Sequence, residues 1–186
     1  MSVTQIKTGD SIPNNVYFGE LKNGEEQPQK IARDEVFKGK KVVIFGIPGA
    51  FTSVCSAKHL PEFVSHYEEF QKKGIDTVAC VAVNGKTSEP LKIPKSTDPY
   101  VMREWAKGHN VDQKVRMLAD GDKTFHSALG LLQILPFSGE RGRRFSAYVD
   151  NGVIKILNVE EPGALSYKVS GPERMLKDLE ELGKKQ

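Results

Sequence analysis

The sequence has little of several features that would place it in a specialised class of proteins. It has two cysteines in 186 residues, too few for the disulfide framework of a small secreted domain, and this favours a reducing compartment. No apolar run approaches the roughly 20 residues that a membrane-spanning helix requires, so we expect no membrane partner. The first residues lack the apolar segment of a secretory signal. We therefore expect a cytoplasmic protein, or one in mitochondria or another organelle if a presequence has been removed.

An excess of charge of one sign is also absent. The 27 Lys and Arg residues and the 24 Asp and Glu residues give a formal net charge of +3, with both signs interspersed. The short basic runs at 38–41 and 141–144 lack interleaved aromatic side chains, so we predict no nucleic-acid partner. The four histidines have no carboxylate or cysteine at metal-ligand spacing, and no phosphate-binding glycine motif is present. We therefore predict no metal and no cofactor.

The hydrophobic pattern predicts a single α/β domain over residues 1–186. Val42–Ile47 and Thr77–Asn84 are β-branched apolar runs typical of buried strands. Between them four residues repeat with helical period, namely Leu60, Phe63, Val64 and Tyr67. The order strand, helix, strand with short connections predicts a right-handed βαβ unit. Further on, the pattern predicts a short helix at 100–108, a strand at 115–119 and a short helix at 125–130.

The second half of the chain predicts two antiparallel strands and a final helix. Asn151-Gly152 separates the strand-like runs 144–150 and 153–159, which favours a type I′ hairpin. Ser170-Gly-Pro-Glu173 predicts a capping box before an amphipathic helix. A βαβ half followed by a ββα half is the thioredoxin-like arrangement, a central mixed sheet flanked by helices. The proline- and lysine-rich segment at about 85–98 is predicted to be an inserted, solvated loop.

Cys55 lies at the strand-to-helix turn of the predicted βαβ unit. It follows the end of the first strand by eight residues, at the carboxyl end of a strand, where open α/β sheets place their chemistry. If Thr52 or Ser53 caps the next helix, unpaired N–H groups and the helix dipole favour the thiolate of Cys55 over the thiol. A buried structural thiol is the commonest role of a free cysteine, but this position argues against it. The presence of Pro61 predicts that the helix is kinked at Leu60 or restarts with Pro61 at its first position.

The residues around Cys55 also narrow the kind of thiol chemistry. Lys58 stands where a dithiol oxidoreductase has its second cysteine, so Cys-x-x-Cys chemistry is excluded. Pro48, Thr52 and Cys55 match the Pro-x-x-x-Thr-x-x-Cys signature of the peroxiredoxins. The fuller string from Pro48 to Pro61 resembles the atypical, peroxiredoxin-5-like subfamily. The resemblance covers most of the chain in order, through 74–84, 99–105, 117–120 and 144–152.

This resemblance implies a thiol-dependent peroxidase. The Cys55 thiolate would attack the terminal oxygen of hydrogen peroxide or an organic hydroperoxide and become a sulfenic acid. By the same resemblance Thr52 would donate or relay a hydrogen bond, Arg144 would hold the thiolate and bind the peroxide oxygens, and Pro48 would exclude water. A desolvated guanidinium can stabilise negative charge on both sulfur and leaving oxygen. A homodimer formed beside the active-site turns is also implied.

The chain departs from the subfamily where a resolving cysteine is expected. Gly163-Ala-Leu-Ser-Tyr167 ends in tyrosine instead of cysteine. Cys80 lies in the middle of a predicted strand among apolar neighbours, so we predict a structural core thiol. We therefore expect a one-cysteine cycle, in which an external thiol reduces the Cys55 sulfenic acid. That thiol would be glutathione with glutaredoxin, or thioredoxin.

Two alternatives use the same cysteine. A redox sensor or chaperone-type binding module would react once and pass the oxidation of Cys55 to a partner. A monothiol glutaredoxin is disfavoured because Ser-Ala, rather than a glutathione-site pattern, follows the cysteine. Trp105 is interpreted as a core residue, whereas Phe51 could line the peroxide pocket or a dimer face. His59 and His66 could share a helix face, but no partner at metal-site spacing accompanies them.

Overall fold

A computed structural model describes residues 6–84, 98–111 and 113–184 of the chain. Its strands are β1 (Tyr17–Glu20), β2 (Gln29–Ala32), β3 (Lys41–Ile47), β4 (Thr77–Ala82), β5 (Val115–Ala119), β6 (Leu132–Leu135), β7 (Gly139–Gly142), β8 (Phe145–Asp150) and β9 (Val153–Val159). Seven of them form one mixed sheet in the order β2-β1-β5-β4-β3-β8-β9, and β6 and β7 form a separate hairpin.

The helices pack around this sheet. They are α1 (Arg33–Phe37), α2 (Leu60–Ser65), α3 (Tyr67–Lys72), α4 (Asp98–Lys107), α5 (Thr124–Ala128) and α6 (Pro172–Gly183). A π-helical turn, Cys55–His59, leads directly into α2. Within the described residues, none of the helices has the length and apolar content needed to cross a bilayer.

The predicted βαβ unit is present. Strands β3 and β4 pair in parallel from Val42 opposite Thr77 to Ile47 opposite Ala82, and α2 and α3 connect them. The single predicted helix is interrupted at His66, whose backbone angles (φ −92°, ψ 7°) leave the helical region. The predicted core side of this helix is confirmed at Leu60 and Phe63, which are fully buried.

The predicted hairpin is also present, but the capping box is wrong. Strands β8 and β9 are antiparallel, and their turn residues Asn151 and Gly152 have φ angles of +46° and +81°, as a type I′ turn requires. Helix α6 begins at Pro172 without a side-chain cap. The residue at the N-cap is Gly171, which has no side chain to accept a hydrogen bond from the first helical N–H groups, and the Ser170 hydroxyl donates to the buried Glu160 carboxylate at 2.9 Å.

Two apolar clusters cover the two faces of the sheet. Alternate residues of β3 contribute to different clusters: Val43 and Phe45 to one, and Val42 and Ile44 to the other. Cys55 and Cys80 both belong to the cluster on the Phe45 face. Helices on both sides of a mixed sheet make this the predicted thioredoxin-like fold. The loop predicted at about 85–98 lies outside the described residues, except for Asp98 at the start of α4.

Candidate active site

The turn after β3 carries the chain from the sheet to Cys55. Pro48 and Gly49 are buried after the strand, and the chain becomes exposed to solvent at 51–53. Phe51, at φ +62°, is 64% exposed. The turn is tied to the end of β4, because the side-chain oxygen of Asn84 accepts a hydrogen bond from Ala50 N–H at 2.7 Å. The chain becomes helical from Ser53.

Cys55 opens a π-helical turn, and Pro61 explains why. Leu60 N–H donates to the carbonyl of Cys55, five residues earlier, rather than to the residue four positions back. In an α-helix Pro61 would have no N–H for the Ala57 carbonyl, and its ring would clash with that carbonyl. The wider π turn relieves this clash. The predicted kink at Leu60 therefore takes the form of a π turn.

Arg144 contacts the sulfur of Cys55 from the neighbouring strand. Its Nη1 donates to Cys55 Sγ at 3.4 Å, and both residues have 0% exposure. Arg144 directly precedes β8, and β8 is antiparallel to β3 with Gly46 opposite Phe145. The beginning of β8 therefore lies at the carboxyl end of β3, where Cys55 is. Two of the predicted site residues are brought together in this way.

Backbone carbonyls fix the orientation of the guanidinium. Arg144 Nε donates to the Ser166 carbonyl at 2.9 Å, and Nη2 donates to the Ala164 carbonyl at 2.7 Å. Arg143 is directed elsewhere, because its Nη2 donates to the Glu160 carbonyl at 2.5 Å. Arg144, the arginine that the resemblance indicated, therefore contacts the sulfur, whereas the guanidinium of Arg143 binds a backbone carbonyl.

His59 is a site residue for which the sequence analysis predicted no role. Its Nδ1 lies 3.0 Å from Arg144 Nη1, and its Nε2 lies 3.1 Å from the Ser170 carbonyl. A neutral ring with its proton on Nε2 satisfies both hydrogen bonds. Burial, followed by the charge of Arg144, lowers the pKa of His59 from 6.5 to about 3. The sequence signal for His59 was its spacing of four residues from Cys55, since residues four apart on a helix share a face.

Thr52 and Pro48 lie beside the site without a described hydrogen bond to the sulfur. The Thr52 hydroxyl donates to the Gly49 carbonyl at 2.9 Å, and its side chain is exposed. In the described part of the chain, no helix N–H donates to the side-chain oxygen of Thr52 or Ser53, so the condition set for helix capping beside Cys55 is not met. The hydroxyl of Thr52 instead forms its hydrogen bond within the turn, to the Gly49 carbonyl.

Tyr167 occupies the place where the resemblance led us to expect a resolving cysteine. Its ring centroid lies 4.9 Å from that of His59 and 5.7 Å from the guanidinium carbon of Arg144. Its hydroxyl donates to the Glu62 carboxylate. Burial, together with this carboxylate, raises the pKa of Tyr167. The residue is therefore a neutral phenol that closes one side of the site.

Cys80 and Trp105 are both buried, as predicted for core residues. Cys80 lies in the middle of β4, opposite Phe45 of β3. Burial raises the pKa of the Cys80 thiol well above its ordinary value, which makes this sulfur a poor nucleophile. The Trp105 indole N–H donates to the Ser56 hydroxyl at 3.0 Å and so packs α4 against the turn that holds Cys55. Among the described residues, no cluster of three His, Cys, Asp or Glu could hold a metal ion.

This geometry suits chemistry at an anionic sulfur. A guanidinium whose direction is fixed by three acceptors can stabilise negative charge without reorganising during a reaction. The neutral His59 ring accepts one of its hydrogen bonds and adds no competing positive charge.

Comparisons with known proteins give the family. The Redoxin family model matches residues 7–176. Peroxiredoxin-2C of Oryza sativa subsp. japonica is 38% identical over 178 residues, which cover 94% of this chain and 98% of that protein. The mitochondrial Peroxiredoxin-2F of Arabidopsis thaliana is 42% identical over 144 residues, which cover 76% of this chain and 65% of that protein.

A solved structure agrees with these relatives. The reduced Prx3 of Vibrio vulnificus in complex with H2O2 superposes with a TM-score of 0.80 at 37% identity, covering 94% of this chain and 99% of that one. The fold predicted from the sequence and the signature around Cys55 lead to the same family. The chain belongs to the peroxiredoxins of the redoxin family, and it is a thiol-dependent peroxidase.

Proposed function

We propose that Cys55 is the residue that reduces the peroxide, and that Arg144 is its electrostatic partner. The Cys55 thiolate attacks the terminal oxygen of hydrogen peroxide or a small organic hydroperoxide. An S–O bond forms, the O–O bond breaks, and water or an alcohol leaves after taking up a proton. The sulfur is oxidised by two electrons to a sulfenic acid while the peroxide is reduced.

The observation that carries this proposal is the 3.4 Å hydrogen bond from Arg144 Nη1 to Cys55 Sγ inside the core. Water does not screen a charge in such a place, so the guanidinium favours the thiolate and stabilises the charge that moves onto the leaving oxygen. Pro48, buried at the end of β3, keeps bulk water from the sulfur. Thr52 orients the peroxide from the turn, after its hydroxyl exchanges the Gly49 carbonyl for a peroxide oxygen.

The substrate reaches the sulfur past the turn that precedes the helix. Cys55 itself has no exposed surface, whereas Phe51, Thr52 and Ser53 are exposed beside it. A small movement of this turn admits a small molecule. We therefore propose hydrogen peroxide and small organic hydroperoxides as substrates. The crystal structure of the Vibrio vulnificus relative is that of a complex with H2O2.

The cycle uses one cysteine. Tyr167 stands at the expected resolving position, and Cys80 is buried in mid-strand with a raised thiol pKa. An external thiol therefore condenses with the sulfenic acid to give a mixed disulfide and water. A second thiol then releases reduced Cys55 and a disulfide of the two donors. Glutathione with glutaredoxin, or thioredoxin, would supply these thiols.

The setting of this activity is also part of the proposal. Residues 1–186 form one domain, and two copies form a homodimer beside the active-site turns, where Phe51 is exposed. Both cysteines are free, which suits a reducing compartment. We propose the cytoplasm or an organelle such as the mitochondrion, where the Arabidopsis relative is named to reside.

Peroxide consumption with and without Cys55 tests the assignment. The parent protein and Cys55→Ser are mixed with hydrogen peroxide or an organic hydroperoxide and a thiol donor, and Cys80→Ser serves as the control. We expect activity in the parent and the control, and none in Cys55→Ser. A Cys55→Ser protein as fast as the parent would disprove the assignment.

Mass spectrometry after one equivalent of peroxide and added glutathione tests the cycle. A glutathione adduct on Cys55 is expected. An internal bridge between Cys55 and Cys80 would refute the one-cysteine cycle. A protein that reacts once, and is not turned over by either donor, would instead be a redox sensor.

A further inference from the structure

Glu160 is a buried carboxylate, 2% exposed, that directly follows β9. Its Oε1 accepts hydrogen bonds from the backbone N–H groups of Lys168, Val169 and Ser170 at 2.7 to 2.9 Å. The same oxygen accepts from the Ser170 hydroxyl, and Oε2 accepts from the Ser166 hydroxyl at 3.0 Å. These hydrogen bonds lower the pKa of Glu160 although its burial acts in the opposite direction. The residue is therefore ionised at neutral pH.

The loop that donates hydrogen bonds to Glu160 is also the loop that orients the active-site side chains. Ala164 and Ser166 provide the carbonyls that accept from Arg144, and Ser170 provides the carbonyl bound by His59. Residues 160–171 form neither helix nor strand, so no ladder of regular hydrogen bonds fixes them. The carboxylate of Glu160 takes the place of such a ladder.

The backbone of Glu160 is also hydrogen-bonded to the backbone of Arg144. Its backbone N–H donates to the Arg144 carbonyl at 2.9 Å, and its carbonyl accepts from Arg143 Nη2. The main chain at Arg144 and the loop that binds its guanidinium are thus both hydrogen-bonded to this one residue. A change in the Glu160 side chain would alter the position of the loop relative to the strand.

We propose that Glu160 is a positioning residue of the peroxidase, which acts through the loop 161–170 to aim the Arg144 guanidinium at the Cys55 sulfur. This inference rests on the proposed role of Arg144. Without the carboxylate, three backbone N–H groups lose their acceptor and the loop leaves its place. Arg144 then loses the Ala164 and Ser166 carbonyls and no longer points at the sulfur.

Two substitutions at Glu160 and one control test the proposal. Glu160→Ala removes all five hydrogen bonds, and Glu160→Gln keeps the volume and one acceptor oxygen while removing the charge. Glu161→Ala removes an exposed carboxylate from the next position. We measure the second-order rate constant for hydrogen peroxide, and separately the pH dependence of Cys55 alkylation by iodoacetamide, which reports the thiolate without any peroxide. Thermal unfolding identifies variants that do not fold.

We expect Glu160→Ala to lower the rate constant by roughly 10- to 100-fold, the range for a misplaced catalytic group, and Glu160→Gln to lower it by roughly tenfold. The alkylation profile should move to higher pH in both, and Glu161→Ala should match the parent. If Glu160→Ala does not fold, the rate constant and the alkylation profile of Glu160→Gln test the proposal alone. A folded variant with a rate constant within about twofold of the parent and an unmoved alkylation profile overturns the proposal.

A double substitution separates positioning from general support of the fold. If Glu160 acts through Arg144, then adding Glu160→Ala to Arg144→Ala should change the rate constant by less than about twofold, because coupled residues are not additive. The full loss of Glu160→Ala in that background overturns the proposal. Failure of the proposed function has a different signature, namely peroxide reduction that survives Cys55→Ser. The alkylation profiles would still report whether Glu160 positions the arginine.

Discussion

Arg144 Nη1 donates a hydrogen bond to His59 Nδ1 at 3.0 Å, at a point where neither residue has any exposed surface. The guanidinium cannot give up its proton, so the histidine nitrogen must be the acceptor. This arrangement requires a neutral His59. The site therefore contains a histidine that orients an arginine and takes no part as an acid near neutral pH.

The neutral His59 makes stability depend on pH in the acid range. The pKa of His59 is lowered from 6.5 to about 3 in the folded protein. Between these two pH values His59 is protonated in the unfolded chain and neutral in the folded chain. Stability is then lost as the pH falls from about 6.5 towards 3, by up to about 1.4 kcal/mol per pH unit. His59→Gln should lack this component. Urea unfolding of both proteins across this range measures the difference, and parallel curves would contradict the prediction.

Arg144→Ala should slow the reaction with peroxide without abolishing it. The loss of one oriented donor to a developing charge is worth roughly a 100-fold reduction in rate, and the thiolate fraction at neutral pH should fall as well. Stopped-flow measurement of the rate constant and ultraviolet absorbance of the thiolate check the two effects. Arg141→Ala, three positions away, is the matched control. A rate equal to that of the control would show that Arg144 does not assist the sulfur.

Cys80→Ser should leave a single turnover with peroxide within about twofold of the parent, while the fold becomes less stable. The buried hydroxyl has an apolar cluster around it, and an unsatisfied polar group in such a place costs about 1 to 3 kcal/mol. Rapid-mixing kinetics and denaturant unfolding measure the two quantities on the same sample. A large loss of rate in a folded variant would assign Cys80 a role in the chemistry.

Tyr167→Cys should convert the proposed one-cysteine cycle into one with an internal disulfide. The substitution places a thiol on the loop whose carbonyls bind Arg144, beside the His59 ring. After one equivalent of hydrogen peroxide we expect a disulfide between Cys55 and the introduced thiol, identified by peptide mapping. The double variant with Cys55→Ser is the control and should form none. Persistence of the sulfenic acid in Tyr167→Cys would mean that the loop cannot bring the two sulfurs together.

Gly46→Ala should destabilise the fold next to the active site. A Cβ at this position would lie 2.0 Å from Cε1 of Phe145, so the ring must move, and Arg144 is its neighbour in the chain. We expect a loss of about 1 to 3 kcal/mol, as for other overpacked cores, together with a slower reaction with peroxide. Gly183→Ala, whose Cβ would meet open space, should be neutral or slightly stabilising. Equal unfolding curves for the two variants would contradict this expectation.

The parts of the fold that could be predicted are those in which local pattern and tertiary packing agree. Strands β3 and β4 are apolar after their first residues because both of their faces are buried there, and Asn151-Gly152 has the conformation that its residue types favour. Strands β1 and β2 were not predicted, because YFGE and QKIA are short and polar and become strands only by pairing at the edge of the sheet. The hairpin of β6 and β7 contains the exposed Ile134 and has no alternating pattern.

The residues of the candidate site also differ in whether they could be predicted from the sequence. Cys55 and Arg144 could be proposed because the resemblance rests on residue types at fixed spacing. The acceptors that orient Arg144 could not, since Ala164 and Ser166 act through backbone carbonyls that any residue supplies. Glu160 was missed for a related reason: a single carboxylate after a strand gives no sign that three distant N–H groups converge on it. His59 was noticed, but its role depends on a partner far along the chain.

The separation of 89 residues between Cys55 and Arg144 has a consequence for the newly made chain. During synthesis the cysteine leaves the ribosome well before the arginine, and the two meet only when β8 docks against β3. Until that moment the sulfur lacks the hydrogen bond from Arg144. On the proposed roles of these two residues, reactivity is therefore acquired as a late event of maturation, and an incomplete polypeptide lacks the arginine that promotes oxidation of the sulfur.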